Sequence, residues 1–150
     1  MKVVIQRVKE ASVSIDGKCH SKIANGLLVL LGIAVDDTEE DSDWILRKIV
    51  NLRIFNDSNG VMNKSLVDLG GDLLVVSQFT LYASTKKGNR PSYIQSAKPE
   101  VAISTYNNFL SKAKAVLNKA VYSGIFGADM QVHLVNDGPV TIIVDSKHRE

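Results

Sequence analysis

The run Leu27-Leu28-Val29-Leu30-Leu31-Gly32-Ile33-Ala34-Val35 constrains this chain more than any other segment. Apolar and polar residues do not alternate in it, so as a strand it must be buried on both faces, and the sheet that holds it needs cover on two sides. It is far shorter than the roughly 20 apolar residues of a membrane helix, and Gly32 interrupts it. The cover therefore has to come from the rest of the chain. A hydrophobic content of 45% over 150 residues is enough for the core of one compact domain without disulfides or metal.

The flanking segments supply partners for that strand. Val3 to Val8 and Ala11 to Asp16 read as strands, Asp16-Gly17 closes a tight hairpin, and Lys18 to Ala24 returns before Asn25-Gly26 turns into the apolar run. The N-terminal quarter is thus a β-meander. Thr38-x-x-Asp41 resembles a capping box, and Trp44, Ile45, Lys48, Ile49 and Leu52 recur at helical spacing, which predicts a helix from about Glu39 to Arg53. Asn56 to Gly60 is a loop by composition, Asp68 to Gly71 is a turn, and Asp72 to Leu81 is a strand. Ser84 to Lys98 makes a long polar loop, a kind that more often carries function than not.

Pro99 suits a helix start, and Val101, Tyr106, Phe109, Leu110, Ala113, Val116 and Leu117 keep one apolar face, so this second helix is expected to be the longest element. Past Gly124 and Gly127, Met130 to Val135 and Val140 to Val144 are expected to form two strands joined tightly at Asp137-Gly138-Pro139. The tail Ser146 to Glu150 reads as frayed.

Charge and motif spelling exclude several classes. A net charge of +2 announces no concentrated basic face, and the bunches Lys86, Lys87, Arg90 and Lys112, Lys114, Lys119 read by default as solvated loop and helix charges. Cys19 alone cannot form an intrachain disulfide, and Met1 to Arg7 has no signal-peptide core, so a soluble cytoplasmic protein is expected. No phosphate loop, paired-histidine helix or Cys-x-x-Cys is spelled, so neither metal nor cofactor is expected. His20, His133 and His148 read as surface or core histidines, not general bases.

Two motifs carry the candidate chemistry. In Ser77-Gln78-Phe79-Thr80-Leu81, hydroxyls, an amide and successive backbone N–H groups follow an apolar run, where they can face a developing oxyanion; a buried strand whose Ser and Thr bond each other reads the same way. In Asn136-Asp137-Gly138-Pro139-Val140-Thr141, Gly138 admits close approach to the main chain and the X–Pro bond tolerates cis, so backbone carbonyls there can exclude one enantiomer; an ordinary turn reads the same way too.

Taken together the two motifs resemble the signature pair of the D-aminoacyl-tRNA deacylases. The similarity extends to Met1-Lys2-Val3-Val4-Ile5-Gln6-Arg7-Val8, to Lys87-Gly88-Asn89-Arg90-Pro91-Ser92-Tyr93 (with Tyr93 in place of an expected Phe), and to Phe126-Gly127-Ala128-Asp129-Met130-Gln131-Val132. The resemblance implies a homodimeric α/β fold around a β-barrel-like mixed sheet with two main helices, with Gly138-Pro139 of one subunit inserted into the site of the other. It implies that cis Gly-Pro carbonyls reject L-aminoacyl groups, that Ser77, Gln78, Phe79 and Thr80 line the ester, and that Phe126, Met130 and Arg90 border the terminal adenosine. The implied partner is the aminoacylated 3′ end of tRNA, with no DNA and no membrane. Thr80 has no evident base to activate it, which favours the substrate's ribose 2′-hydroxyl as the catalytic helper. Glycyl-tRNA, with no substituent to exclude, should also fit. The alternatives are a hydrolase of small D-aminoacyl esters with no RNA partner and a non-catalytic RNA-binding β-domain, the latter disfavoured by dispersed aromatics.

Overall fold

The structure is a computed structural model that describes residues 1–149. Strand β1 (Lys2–Ile15) runs through the whole sheet, and β2 (Lys18–Ile23) and β3 (Gly26–Gly32) follow it as the expected meander. The expected break between Val8 and Ala11 is a bend inside one strand, not a loop. There the register against the neighbouring strand shifts, and Lys9 and Glu10 turn to solvent. Along one edge of β1 lie β3, paired with Lys2 to Val8, and then β2, paired with Ala11 to Ile15.

Helix α1 (Glu39–Asn51) starts where the capping box predicts, with the Asp41 carboxylate accepting from the Thr38 backbone N–H at 2.9 Å and from its hydroxyl at 2.9 Å. The loop expected after it is the turn of a small hairpin, β4 (Phe55–Asn56) and β5 (Met62–Lys64), closed by the Asp57 carboxylate on the Asn59 and Val61 amides. The turn expected at Asp68 is a one-turn helix, α2 (Leu66–Leu69), ended by Gly70 at φ +64. Strand β6 (Asp72–Ser77) then pairs parallel to β3, and β7 (Tyr122–Ser123) pairs parallel to β6 after helix α3 (Pro99–Leu117), the longest element. At the far end of the sheet the Ser21 hydroxyl on β2 donates to the Ser123 carbonyl on β7 at 2.9 Å, curling the sheet almost into a barrel.

The two-sided burial of β3 follows as its sequence requires. Leu27, Val29 and Leu31 pack under α1 and α3 with Ile5, Ile45, Ile49 and Phe109, while Leu28 joins Val8, Val13, Ile23 and Leu74 inside the curl. Each fully buried side chain of this kind contributes about 1.5–3 kcal/mol relative to exposure. No helix among the described residues is long and apolar enough to cross a membrane.

Two expectations are corrected at the C-terminus. The strands expected on either side of Gly138-Pro139 are one strand, β8 (Gln131–Asp145), and both halves pair with β1. Asn136 lies opposite Val8 and Thr141 opposite Gln6, so residues 137–140 leave the ladder as a projection and rejoin it. Local sequence shows two strand-like runs and a turn, but not that the second run returns to the same neighbour. The tail is also pinned through Arg149: Ser146 is buried against the Met1 ammonium (2.7 Å), Lys147 pairs with Asp41 at 2.8 Å, and Arg149 lies over the Trp44 ring. These partners are distant in sequence, which hid them, and Glu150 lies outside the described residues.

Candidate active site

Ser77 is the last residue of β6, opposite Leu31 on β3. The sequence predicts a strand as far as Leu81, but β3 ends at Gly32, so the ladder has no partner to continue on. The Gln78 N–H makes the last contact, to the Leu31 carbonyl at 2.7 Å, and residues Phe79–Tyr82 turn into a single 3₁₀ coil. Leu81 N–H donates back to the Gln78 carbonyl at 3.2 Å. As the first amides of that coil, those of Phe79 and Thr80 have no acceptor within it and are left able to donate to a ligand.

This coil forms one wall of a cavity of about 830 Å³. Ser77, Gln78 and Phe79 line it together with Phe126 and Met130, so five of the sequence-predicted site residues converge across a chain separation of some fifty residues. Tyr93 meets the Phe79 ring edge-on at 5.0 Å, and the Ser96 hydroxyl donates to the Phe79 carbonyl at 3.4 Å. Phe126 is held from behind by Tyr106 at 6.1 Å between centroids, and the Tyr106 hydroxyl donates to the Val75 carbonyl on β6 at 2.7 Å. Burial pushes the Tyr106 phenol up to about 12, so it stays a neutral donor.

Thr80, Arg90, Gly138 and Pro139 do not line the cavity. Thr80 is half-buried beside it, its hydroxyl accepting from Gln78 Nε2. Arg90 stands on an exposed loop, and Gly138 and Pro139 project from β8 with the bond between them cis. The projection is held from inside by Arg7, which is buried and donates from Nε to the Asp137 carbonyl at 3.2 Å. Lys98, Ser96, Ala102 and Ile103 also line the cavity. Nothing in their local spelling marks them, because they are brought in by the path of the Ser84–Lys98 loop into α3.

Among the described residues the titratable groups lining the cavity are Tyr93 and Lys98; no histidine or carboxylate does so. His148 instead pairs with Asp145 at 3.1 Å on the surface. Such a pocket has amide donors, apolar and aromatic walls and one cation, and can hold a planar base and orient an activated ester, but it supplies no side-chain base to a nucleophile.

The family model described as D-Tyr-tRNA(Tyr) deacylase matches residues 4–145. Curated relatives named D-aminoacyl-tRNA deacylase include those of Bacteroides fragilis, 59% identical over 150 residues, and Flavobacterium psychrophilum, 61% identical over 150 residues, each alignment covering both chains fully. The relative from Christiangramia forsetii is 62% identical over 149 residues, covering 99% of both chains. A solved structure titled c-Myc DNA Unwinding Element Binding Protein is similar with a TM-score of 0.93 and 44% identity, covering 97% of this chain and 98% of that one. A second, a probable eukaryotic D-amino acid tRNA deacylase, has a TM-score of 0.82 at 18% identity over 95% of this chain and 97% of its own, a likeness of fold.

Proposed function

Since the chain belongs to the D-aminoacyl-tRNA deacylase family and is a hydrolase of that class, we propose that its cavity binds the aminoacylated terminal adenosine of tRNA and cleaves the ester to free D-amino acid and tRNA. The observation that carries this reading is the pair of amides at Phe79 and Thr80, left without acceptors at the start of the coil whose Phe79 lines a cavity without a side-chain base. Water attacks the ester carbonyl carbon, the negative charge that develops on its oxygen is received by those amides, and the bond to the ribose 3′-oxygen breaks. The proton lost by water ends on that 3′-oxygen, and the neighbouring 2′-hydroxyl relays it. Position and charge stabilisation then suffice, because the ester is already activated. Ser77 and Gln78 orient the ester, while Phe126 and Met130 border the adenine.

Chirality is read by refusal. The Gly138 and Pro139 carbonyls exclude the L substituent, and these residues come from a second copy of the chain. Their position outside their own cavity supports this, as do the exposed apolar side chains of β8, with Ile143 74% exposed. Glycyl-tRNA, having no substituent to refuse, is a second substrate, and the setting is cytoplasmic. Deacylation of one tRNA charged in turn with D-tyrosine, L-tyrosine and glycine tests the reading. Hydrolysis of the D-tyrosyl and glycyl esters with the L-tyrosyl ester spared is expected, and similar rates on both enantiomers would sink it. Light scattering at micromolar concentration tests the second copy, for which a mass of two chains is expected.

A further inference from the structure

From Leu73 to Pro99 the sequence contains four cations, Lys86, Lys87, Arg90 and Lys98, and no carboxylate, although the whole chain carries only +2. The remainder of the molecule is therefore net acidic, and eight of its fourteen lysines and arginines pair with acids, among them Lys22 with Glu10, Lys112 with Glu39 and Asp43, Lys119 with Asp72, and Lys147 with Asp41. The four cations of the loop form no ion pair among the described residues, and all four are exposed.

The loop is built to hold those charges beside the cavity. Ser84 and Ser92 exchange backbone hydrogen bonds at 2.8 and 2.9 Å, closing residues 85–91 into a protruding loop that carries Lys86, Lys87 and Arg90. Tyr93, the next residue past this neck, is the one whose ring meets Phe79. Further on, Gln95 and Ala97 bond the chain on the cavity's other side, with Val35 N–H on the Gln95 carbonyl at 3.1 Å and Ala97 N–H on the Ile33 carbonyl at 2.9 Å. Lys98 closes the path on the cavity wall. Unpaired positive charge is thus carried both on the pocket wall, at Lys98, and on the loop whose neck adjoins the wall residue Tyr93.

We propose that this loop is the RNA-docking surface: Lys98 meets the phosphate next to the bound terminal nucleotide, and Lys86, Lys87 and Arg90 take phosphates farther along the acceptor strand. The proposal rests on the deacylase reading of the cavity. Cations without protein partners favour binding to a polyanion through counterion release, and the effect is local, since the overall charge is too small to supply it.

The test is binding of labelled, uncharged tRNA to the full chain by fluorescence anisotropy at several salt concentrations, with Lys86→Gln/Lys87→Gln compared against Lys64→Gln/Lys114→Gln, which removes the same net charge elsewhere. The loop variant should bind about tenfold more weakly and lower the slope of log affinity against log salt by about two, whereas the control should match the wild type. On D-tyrosyl-tRNA the loop variant should raise KM with kcat unchanged, and on D-tyrosyl-adenosine, which has no phosphate, it should match the wild type. Equal losses in both double variants, an unchanged salt slope, or equal affinity for a DNA duplex of similar length would overturn the proposal. If the wild type failed to cleave D-tyrosyl-tRNA while binding still depended on the loop, the deacylase reading would fall and the docking surface would stand.

Discussion

Arg7 and Asp137 are joined twice: the guanidinium Nε donates to the Asp137 main-chain carbonyl at 3.2 Å and pairs with its carboxylate at 3.2 Å. The same guanidinium donates from Nη1 to the Ile54 carbonyl. A buried cation in β1 thereby ties the root of the Gly138-Pro139 projection to the sheet and to the segment after α1. Arg7→Ala leaves two carbonyls without donors and should cost about 2–4 kcal/mol in urea unfolding. Arg7→Lys should recover part of that stability. It should nonetheless lose discrimination between D- and L-tyrosyl-tRNA, because a single ammonium cannot reproduce the planar fork.

Gly138 has φ +121, where L side chains rarely sit, and a Cβ there would come within 2.8 Å of Arg7 Nη2 and 2.9 Å of the Val140 side chain. Gly138→Ala must therefore move the backbone or Arg7. The expected outcome is a fall of tenfold or more in D-tyrosyl-tRNA hydrolysis with far-ultraviolet circular dichroism unchanged. Full activity would detach the projection from the site.

Thr80 lies beside the cavity, its hydroxyl accepting a hydrogen bond from Gln78, with no base among the residues that line the pocket. Thr80→Ala should retain activity within about tenfold of the wild type, whereas a tRNA ending in 2′-deoxyadenosine should lose far more. Complete inactivation by Thr80→Ala, with the deoxy substrate still cleaved, would instead make Thr80 the nucleophile.

Gly124 is buried against Met130, and a Cβ at Gly124 would collide with the Met130 sulfur, the mobile end of a flexible side chain. Gly124→Ala should therefore fold but push Met130 into the cavity that it lines. A rise in KM for D-tyrosyl-tRNA larger than any change in kcat is expected from steady-state kinetics.

Asp41 is nearly buried, and desolvation alone would raise its carboxyl, but hydrogen bonds from Lys147 and from Thr38 outweigh this and hold it well below the usual carboxylate range. A depressed folded-state value means stability that is present above the unfolded pKa of about 3.9 and is lost as pH falls below it. Wild type should thus exceed Asp41→Asn in stability at pH 6, and the gap should narrow steadily below pH 4 in urea titrations. A gap that stayed constant down to pH 2 would remove Asp41 from the acid transition.

The parts of the fold that were legible are those whose cause is local. Two-sided burial of Leu27 to Leu31 follows from an unbroken apolar run, and the start of α1 follows from Thr38 and Asp41. Ser77, Gln78, Phe79, Phe126 and Met130 were named from the sequence and meet in one cavity. What escaped depends on partners. The end of β6 is set by where β3 stops, the continuity of β8 by its return to β1, and the anchoring of Ser146 to Arg149 by Met1, Asp41 and Trp44. Lys98 and Ser96 reach the cavity only because of the route that the preceding loop takes, which residue spacing does not encode.

Since β8 leaves its ladder after Asn136 and rejoins it at Thr141, the alignment of the strand is fixed separately on each side of the excursion. The register of the sheet is therefore set independently of what the excursion holds, although Arg7 packed beneath Gly138 still limits which side chains fit there. A change at the tip, or a longer tip, thus leaves each core side chain on its own face, and the projection can vary while the pairing on either side of it stays put.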